Sequence, residues 1–319
     1  MPLPEISVII PSKNGLPHLK ECLPSLLAAA ESYPSRIEII VVDDHSDDET
    51  LSFLSHHFPK IKTVVNSGQG ISSGRNCGVA LSSSPWLCFL DNDVFVEKDF
   101  FTKAAAWLKP ELFCLACSGY EAYPPAGQAR KQLDGIKLLR WKRGFMRFTD
   151  NILNIHLKPS LQYLSFGVQG AYFFCSREKF LQLGGFDTLY DPCQLEESDL
   201  AYAGLKRGWK ILYAFNIKNR HKCGSTLQSK QNLFSQYMAR KNRILFVWKH
   251  IHDKRLFCWH LLWLLLNPSP RLWRDCWKMR KEIAKKRKKE KTEAVLGDRD
   301  LLLISKRYQR MITRREQEL

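Results

Sequence analysis

The sequence has little that would carry it across a membrane. Its longest strongly apolar stretch, LFCWHLLWLLL at 256–266, falls far short of the roughly 20 residues that a spanning helix needs. Lys249, Asp253, Lys254 and Arg255 rule out an upstream extension. No charged-then-apolar leader precedes MPLPEISVII, which runs straight into a strand-like segment. No internal repeat is visible, which excludes a solenoid or propeller. The ten cysteines lack the spacing of a disulfide scaffold, and several lie inside apolar runs, such as Cys88 in WLCFL and Cys175 in YFFCS. Cys114 and Cys117 form one C-x-x-C with no second pair at zinc-ribbon spacing, so they read as core residues. Together these absences predict a reducing, cytosolic compartment.

Acidic residues are scarce in one region only. Residues 1–240 hold 27 basic and 23 acidic side chains, a net of +4, whereas 241–319 hold 22 and 9, a net of +13. The overall +17 therefore belongs to the C-terminal part. That distribution predicts an anionic surface, membrane or nucleic acid, as partner of that part. The 319 residues are 45% hydrophobic and 25% charged, enough for a large core and too apolar for disorder.

The first hundred residues alternate between strand and helix patterns. Ile6–Ile10, Ile37–Val42, Lys62–Val65 and Trp86–Leu90 read as buried strands. Helical spacing runs from Leu19 to Ala30, with Pro24 predicted to kink it, and again over Ile71–Leu81. Ser46 and Glu49 read as a capping box for a helix through Leu51 and Leu54. Continuous apolar strands alternating with helices predict a mostly parallel sheet covered on both faces, an α/β fold. Beyond Asp93 the pattern predicts a helix at Phe100–Leu108 and strands at Leu112–Ser118, Phe166–Ser176 and Trp209–Phe215. It also predicts a helix at Leu195–Arg207 and a long amphipathic one at Gln231–Lys249. Residues 119–165 read as irregular and partly basic. The boundaries that follow are an α/β domain over 1–228 in two halves, 1–94 and 95–228, an amphipathic helical segment over 229–270, and a basic tail over 271–319.

Carboxylates stand where these strands end. Asp91-Asn92-Asp93 directly follows WLCFL, and acids at i and i+2 in a turn after a strand can face one hard divalent cation shared with phosphate oxygens. Asp43-Asp44 follows IEIIVV, where carboxylates suit ribose hydroxyls and a base N–H, or alternatively cap a helix. Ser46 already supplies that cap in this reading, leaving both acids free. Gly68–Asn76 opens a helix with glycines, so its N-terminus and Arg75 are candidates for a phosphate, although a plain strand-to-helix turn would look similar. Glu196, Glu197 and Asp199 open another helix, which either satisfies the helix dipole or gathers acids for proton transfer.

Taken in order, SVIIPSKN (7–14), VVDDHSDDET (41–50), GQGISSGRNCGVA (68–80), FLDNDV (89–94), GGFDTLYDPCQLEESDLAYAGLKRGW (184–209) and RHKCGSTL (220–227) resemble the family 2 glycosyltransferases. The likeness is nearest to the rhamnosyltransferase-like members that build cell-surface polysaccharides, and it covers about residues 6–250. It implies a GT-A fold for nucleotide-diphospho-sugars, with a C-terminal helical extension that associates with membrane. Tyr237, Arg240 and Asn242 match a Y-x-x-R-N-type helix that follows the catalytic domain.

By this resemblance Pro11, Asp43 and Asp44 border the nucleotide, Arg75 and Asn76 support its loop, and Asp91 with Asp93 holds metal and diphosphate. His221 matches a histidine that completes the metal site. Gly184, Gly185, Phe186 and Asp187 line sugar and acceptor. The family's E-D-x-D-L motif falls on Glu196–Leu200, and its second acid, the general base, is Glu197 here rather than Asp. Glu196 and Asp199 stand as alternatives. The implied cofactor is Mg²⁺ or Mn²⁺, and the implied partners are a UDP- or dTDP-type sugar and a glycan or polyprenyl-diphosphate-linked acceptor.

Arg130, Lys131, Lys137, Arg140, Lys142, Arg143 and Arg147 are candidates for meeting an anionic acceptor. Phe257, Trp259, Leu261, Leu262, Trp263 and Leu265, followed by 11 basic residues in 271–291, suggest a peripheral contact with an anionic membrane at its cytoplasmic face. Nucleic acid is not the expected partner, because a binding role for the tail leaves the acids at the strand ends unexplained. A catalytically silent scaffold would not need them either.

Overall fold

The computed structural model describes residues 2–154, 157–158, 161–222 and 229–317. The first half alternates as the apolar pattern requires: β1 (Ile6–Ser12), α1 (Leu16–Ser32), β2 (Ile37–Asp43), α2 (Thr50–His57), β3 (Lys62–Val65), α3 (Ile71–Leu81) and β4 (Trp86–Leu90). Next come β5 (Val94–Val96), α4 (Phe100–Ala105), β6 (Leu112–Glu121), β7 (Ile136–Lys142), β8 (Phe145–Ile152), β9 (Tyr163–Leu164), β10 (Tyr172–Ser176), α5 (Arg177–Leu183), α6 (Glu196–Lys206) and β11 (Lys210–His221). The main sheet runs β3-β2-β1-β4-β10-β6-β11-β5, with β9 also on β11. β1, β2, β3, β4, β6 and β11 point one way; β5, β9 and β10 oppose them.

Alternation along β1 shows how the sheet is covered. Ile6, Val8 and Ile10 enter a core with Leu19, Leu23, Phe100 and Phe101, while Ile9 enters the opposite one with Val79, Phe180 and Phe186. Successive side chains leave opposite faces of a strand, so a strand buried on both faces must be apolar throughout. Pro24 sits inside α1, which continues through it from Leu16 to Ser32. Cys114 and Cys117 are fully buried in core, one on each side of the sheet.

The strand expected over Phe166–Ser176 is confined to Tyr172–Ser176, the one expected over Trp209–Phe215 runs from Lys210 to His221, and two further regions differ more widely from the sequence reading. Residues 136–152, expected to be irregular, form a hairpin of β7 and β8. Its two turn residues, Arg143 and Gly144, both have positive φ, 52° and 74°. That matches a I′-type turn, whose twist suits a two-residue hairpin. Arg-Gly hides this better than Asn-Gly would. Residues 271–319, expected to be a basic tail, instead carry helices. α7 (Ser229–His250) and α8 (Lys254–Leu266) are followed by α9 (Pro270–Lys278), α10 (Arg280–Glu293) and α11 (Asp298–Gln317). α10 packs on α7, and α11 packs on β7. Buried ion pairs tie them down: Lys206 to Asp298 at 2.9 Å and Arg207 to Glu290 at 3.1 Å. Among the described residues no helix is long and apolar enough to cross a membrane.

Candidate active site

The chain brings three expected metal ligands together. Asp91 and Asp93 flank the turn after β4, and His221 ends β11. Antiparallel pairing sets His221 opposite Val94, which brings its Nε2 to 3.1 Å from Asp93 Oδ1. One ligand atom from each of Asp91, Asp93 and His221 lies within 4.8 Å of the others. Two carboxylate oxygens and one imidazole nitrogen form a donor set suited to Mn²⁺ or Mg²⁺. Burial opposes charge on His221, but Asp93, Asp91 and Asp134 outweigh it and raise its pKa above the ordinary imidazole range. The Asp91 carboxyl is raised by burial, with Arg75 pulling against that and Asp93 adding to it. A cluster of this charge, close enough to share one cation, fits the divalent metal that the sequence implied.

Arg75 is not available to a phosphate. It is fully buried, and its guanidinium reaches Asp91 Oδ1 at 3.0 Å, Glu196 Oε1 at 3.1 Å and the Gly170 carbonyl at 2.7 Å. The N-terminus of α3 is likewise occupied. Asp191 accepts from Ser72 N at 2.8 Å and from Ser73 N at 3.3 Å, so a carboxylate of the chain sits where the Gly-rich segment predicted an external anion. Gly70 has φ of +97°, and a Cβ there would lie 2.7 Å from Asp191 Oδ1. Glycine is therefore required by both backbone and contact.

The Asp43-Asp44 pair is engaged rather than free. Asp44 accepts from Asn66 Nδ2 at 2.6 Å and from Gly70 N at 3.1 Å, holding the glycine loop. Asp43 Oδ2 accepts from Ser46 N at 3.1 Å, while its Oδ1 is buried with no hydrogen-bond partner. Ser46 does not cap α2: its Oγ accepts from Asn14 N, and Asp48 takes Thr50 N instead. Pro11 is half-buried beside them on β1, paired with Val42.

The three acids of α6 have different surroundings. Asp199 is buried and receives Lys249 Nζ at 2.8 Å, His250 Nε2 at 2.5 Å and the Tyr190 hydroxyl at 2.7 Å. Burial works against its charge, yet Lys249 and His250 hold its carboxyl well below the usual range. It is a structural anion. Glu196 is buried on Arg75, and burial, then Glu197, push its pKa up to about 8 against the pull of Arg75. Glu197 is half-buried. It accepts from Ser198 Oγ at 3.0 Å and lies over Gly170, where an added Cβ would come within 3.6 Å of its carboxylate. Gly170 and Ala171 are the backbone between this acid and the metal cluster, since Asp91 N donates to Ala171 O at 2.9 Å and Arg75 grips Gly170 O.

Gly184–Asp187 adjoins Asp199, since Lys249 bridges Asp187 and Asp199 at 2.8 Å to each. Asn76 bonds both N and O of Phe186, at 2.9 and 2.8 Å, tying α3 to that turn rather than reaching the nucleotide loop. Asp187 is paired with Lys249 and Lys286. The turn lines a cavity of about 580 Å³ shared with Lys285, Lys286 and Lys289 of α10. Asn242 is buried, and its amide nitrogen reaches the carbonyls of Tyr190, Cys193 and Gln194 at 3.0, 2.9 and 2.8 Å, fixing the approach to α6. Tyr237 bonds Asp275. No sequence signal marks Lys249 and His250 as partners of Asp199, because they close a helix whose pattern marks only its apolar face. Asp191 could have been suspected, since it lies within the GGFD-to-EESD stretch.

The sequence pattern of the family described as Glycosyl transferase family 2 matches residues 7–183. A glycosyltransferase of Haloferax volcanii, AglE, is 27% identical over 151 residues, 46% of this chain and 49% of its own. The poly(ribitol-phosphate) beta-N-acetylglucosaminyltransferase TarS of Staphylococcus aureus is 30% identical over 109 residues, 33% of this chain and 19% of its own. This chain thus spans half or less of the length of these relatives. GalNAc-T7, solved with UDP, GalNAc and Mn²⁺, superposes with a TM-score of 0.62 at 18% identity, covering 88% of this chain and 56% of that one. A mannosyltransferase from Pyrobaculum calidifontis, solved with GDP-Man and Mn²⁺, does so with a TM-score of 0.54 at 14% identity, covering 89% and 76%. At such identities the structures establish the fold, and the family match runs from β1 through α5, across the glycine loop and the Asp91–Asp93 turn. The chain belongs to glycosyl transferase family 2 and has the GT-A fold.

Proposed function

We propose that this enzyme transfers a sugar from a UDP- or dTDP-type donor to a hydroxyl of a glycan or lipid-linked glycan, with inversion, in the building of cell-surface polysaccharide. The reading is carried by one observation. Of the acids at the head of α6, Glu196 and Asp199 are consumed by buried cations, while Glu197 alone is half-exposed, on the Gly170 backbone beside Asp91. Asp91, Asp93 and His221 would hold the divalent ion, which when bound neutralises charge on the departing diphosphate. Glu197 takes the proton from the acceptor hydroxyl at its carboxylate. Arg75 keeps Asp91 and the head of α6 in fixed relation. The unpartnered Oδ1 of Asp43 supports a donor contact there, from a ribose hydroxyl or base N–H.

We further infer that the protein rests on the cytoplasmic face of the cell membrane. Trp259, Leu262, Leu265, Leu266 and Trp277 are exposed, and the basic residues of α9 and α10 follow directly. Apolar side chains beside cations are what an anionic bilayer surface recognises. Thermal-shift titration with nucleoside diphosphates and their sugars, with and without Mn²⁺, tests the donor reading. Stabilisation by UDP or dTDP that requires the metal supports it; no nucleotide effect, or an equal one in Asp93→Asn, refutes it.

A further inference from the structure

A cavity of about 590 Å³ lies between the β7–β8 hairpin and helices α7 to α9. Four arginines line it: Arg143 and Arg147 from the hairpin, Arg240 and Arg243 three residues apart on α7. No aspartate or glutamate lines the cavity, and among the described residues no carboxylate pairs with any of the four. Elsewhere this chain neutralises its interior cations, as Arg75, Lys206, Arg207 and Lys249 show. Here two half-buried arginines, Arg147 and Arg243, and two exposed ones, Arg143 and Arg240, gather like charge around a void. The cost is visible: burial, and then Arg143, lower the pKa of Arg147, while burial, and then Arg147 and Arg240, lower that of Arg243.

Asn267 and Ser269 apart, the rest of the wall is apolar, including Phe145, Trp263, Leu264 and Trp273. Leu264 and Trp273 also line a second, almost wholly apolar groove of about 540 Å³, with Trp248, Leu261, Leu265 and Trp277. That groove opens at the exposed residues Leu265 and Trp277. A guanidinium cluster selects phosphate, because its forked donors match phosphate oxygens. The contiguous groove selects a hydrocarbon chain. A free phosphate would leave the groove unused, and a nucleic acid has no aliphatic chain to place there.

We propose that the arginine cavity holds the phosphate head of a chain-bearing lipid whose hydrocarbon lies in the adjoining groove. Resting on the transferase reading above, this is where the lipid end of a lipid-linked acceptor is seated. Arg243 follows Asn242, whose amide fixes the 190–194 segment leading into α6. The lipid seat and the mounting of Glu197 therefore share one stretch of α7.

The test uses the full chain and flotation with phosphatidylcholine vesicles, without metal. One set is doped with a long-chain polyprenyl phosphate and another with a fatty acid to equal surface charge. Tighter binding to the phosphate vesicles is expected, and Arg147→Gln with Arg243→Gln should weaken it about tenfold or more. Lys60→Gln with Lys109→Gln, the same charge loss at two exposed loop positions ahead of β3 and β6, should change it less than about twofold. Equal binding to both vesicle types, equal losses in the two variants, or no loss in the arginine variant would each overturn the proposal. So would complete displacement by free pyrophosphate at the concentration of the lipid phosphate. If the arginine variant loses its thermal transition, Leu265→Ser with Trp277→Ser replaces it: a loss greater on phosphate vesicles than on fatty-acid vesicles supports the proposal, and an equal loss on both, or unchanged binding, overturns it. Nucleoside diphosphate stabilisation with Mn²⁺, run in parallel on the wild type, tests the transferase reading separately, since its failure leaves the vesicle result standing.

Discussion

Arg75 Nη2 lies 3.0 Å from Asp91 Oδ1 in a fully buried ion pair on the arginine side, and the other end of the same guanidinium holds Glu196. One residue of α3 thus couples the metal turn after β4 to the head of the helix that carries Glu197. Arg75→Met should cost about 3–5 kcal/mol of stability, because it strands buried carboxylates. Arg75→Met with Glu196→Gln should recover part of that, since the buried carboxyl left without its partner is gone. Urea denaturation of the four proteins of this double-mutant cycle measures it. Strict additivity would mean that the two side chains do not act on each other.

Glu197→Gln keeps the shape of the side chain and removes its basicity. Turnover should fall by about 10²–10⁴-fold, the usual worth of a positioned base, with donor affinity and melting temperature unchanged. Initial rates and calorimetric donor binding check it. A variant that retains more than about a tenth of wild-type turnover would shift the base elsewhere.

Asp199 makes the contrasting case. Losing its charge leaves Lys249 short of a partner in a buried network, so Asp199→Asn should cost about 3–5 kcal/mol at pH 7. The folded carboxyl lies below its unfolded value of about 3.9. Its contribution is present above that pH and is lost as pH falls towards the folded value, so the gap between variant and wild type closes only in strong acid. Chemical denaturation at pH 7 and pH 4 reads the gap. A variant as stable as wild type with turnover abolished would return Asp199 to a catalytic role.

The sheet and two candidate metal ligands, Asp91 and Asp93, were legible because both are local in sequence. Buried strands announce themselves as apolar runs, and Asp91 and Asp93 stand beside one of them. His221 came only through the family resemblance, and its pairing opposite Val94 supplies the physical reason. What sequence could not show was which charges were already spent. Arg75 and the head of α3 looked ready for a phosphate, and only the fold reveals Asp91, Glu196 and Asp191 in that place, the last 119 residues away from Ser72. The basic C-terminal part was misjudged for a related reason. A run such as KKRKKEK carries no apolar period of its own, yet Ile283 and Glu290 give α10 a buried edge against the domain.

Protonation of His260 tests how α8 is fixed. The imidazole is fully buried; its Nε2 accepts from Trp248 Nε1 at 3.2 Å and its Nδ1 donates to the Gly144 carbonyl at 2.8 Å. A proton on Nε2 would face the indole N–H, and burial lowers the folded pKa to about 4 although the Gly144 carbonyl pulls the other way. The unfolded chain takes up this proton near pH 6.5. Between those values it binds more protons than the native state, so stability must fall as pH drops, by at most about 3 kcal/mol from this group. His252, lowered to about 4 by burial, Lys206 and Arg287, acts in the same direction. Subtracting His260→Gln, which can make both hydrogen bonds at any pH, isolates His260. The stability advantage of wild type over that variant, measured by urea denaturation, should shrink steadily from pH 7 to pH 4. An advantage that stays constant over this range would mean that His260 does not titrate between the two states.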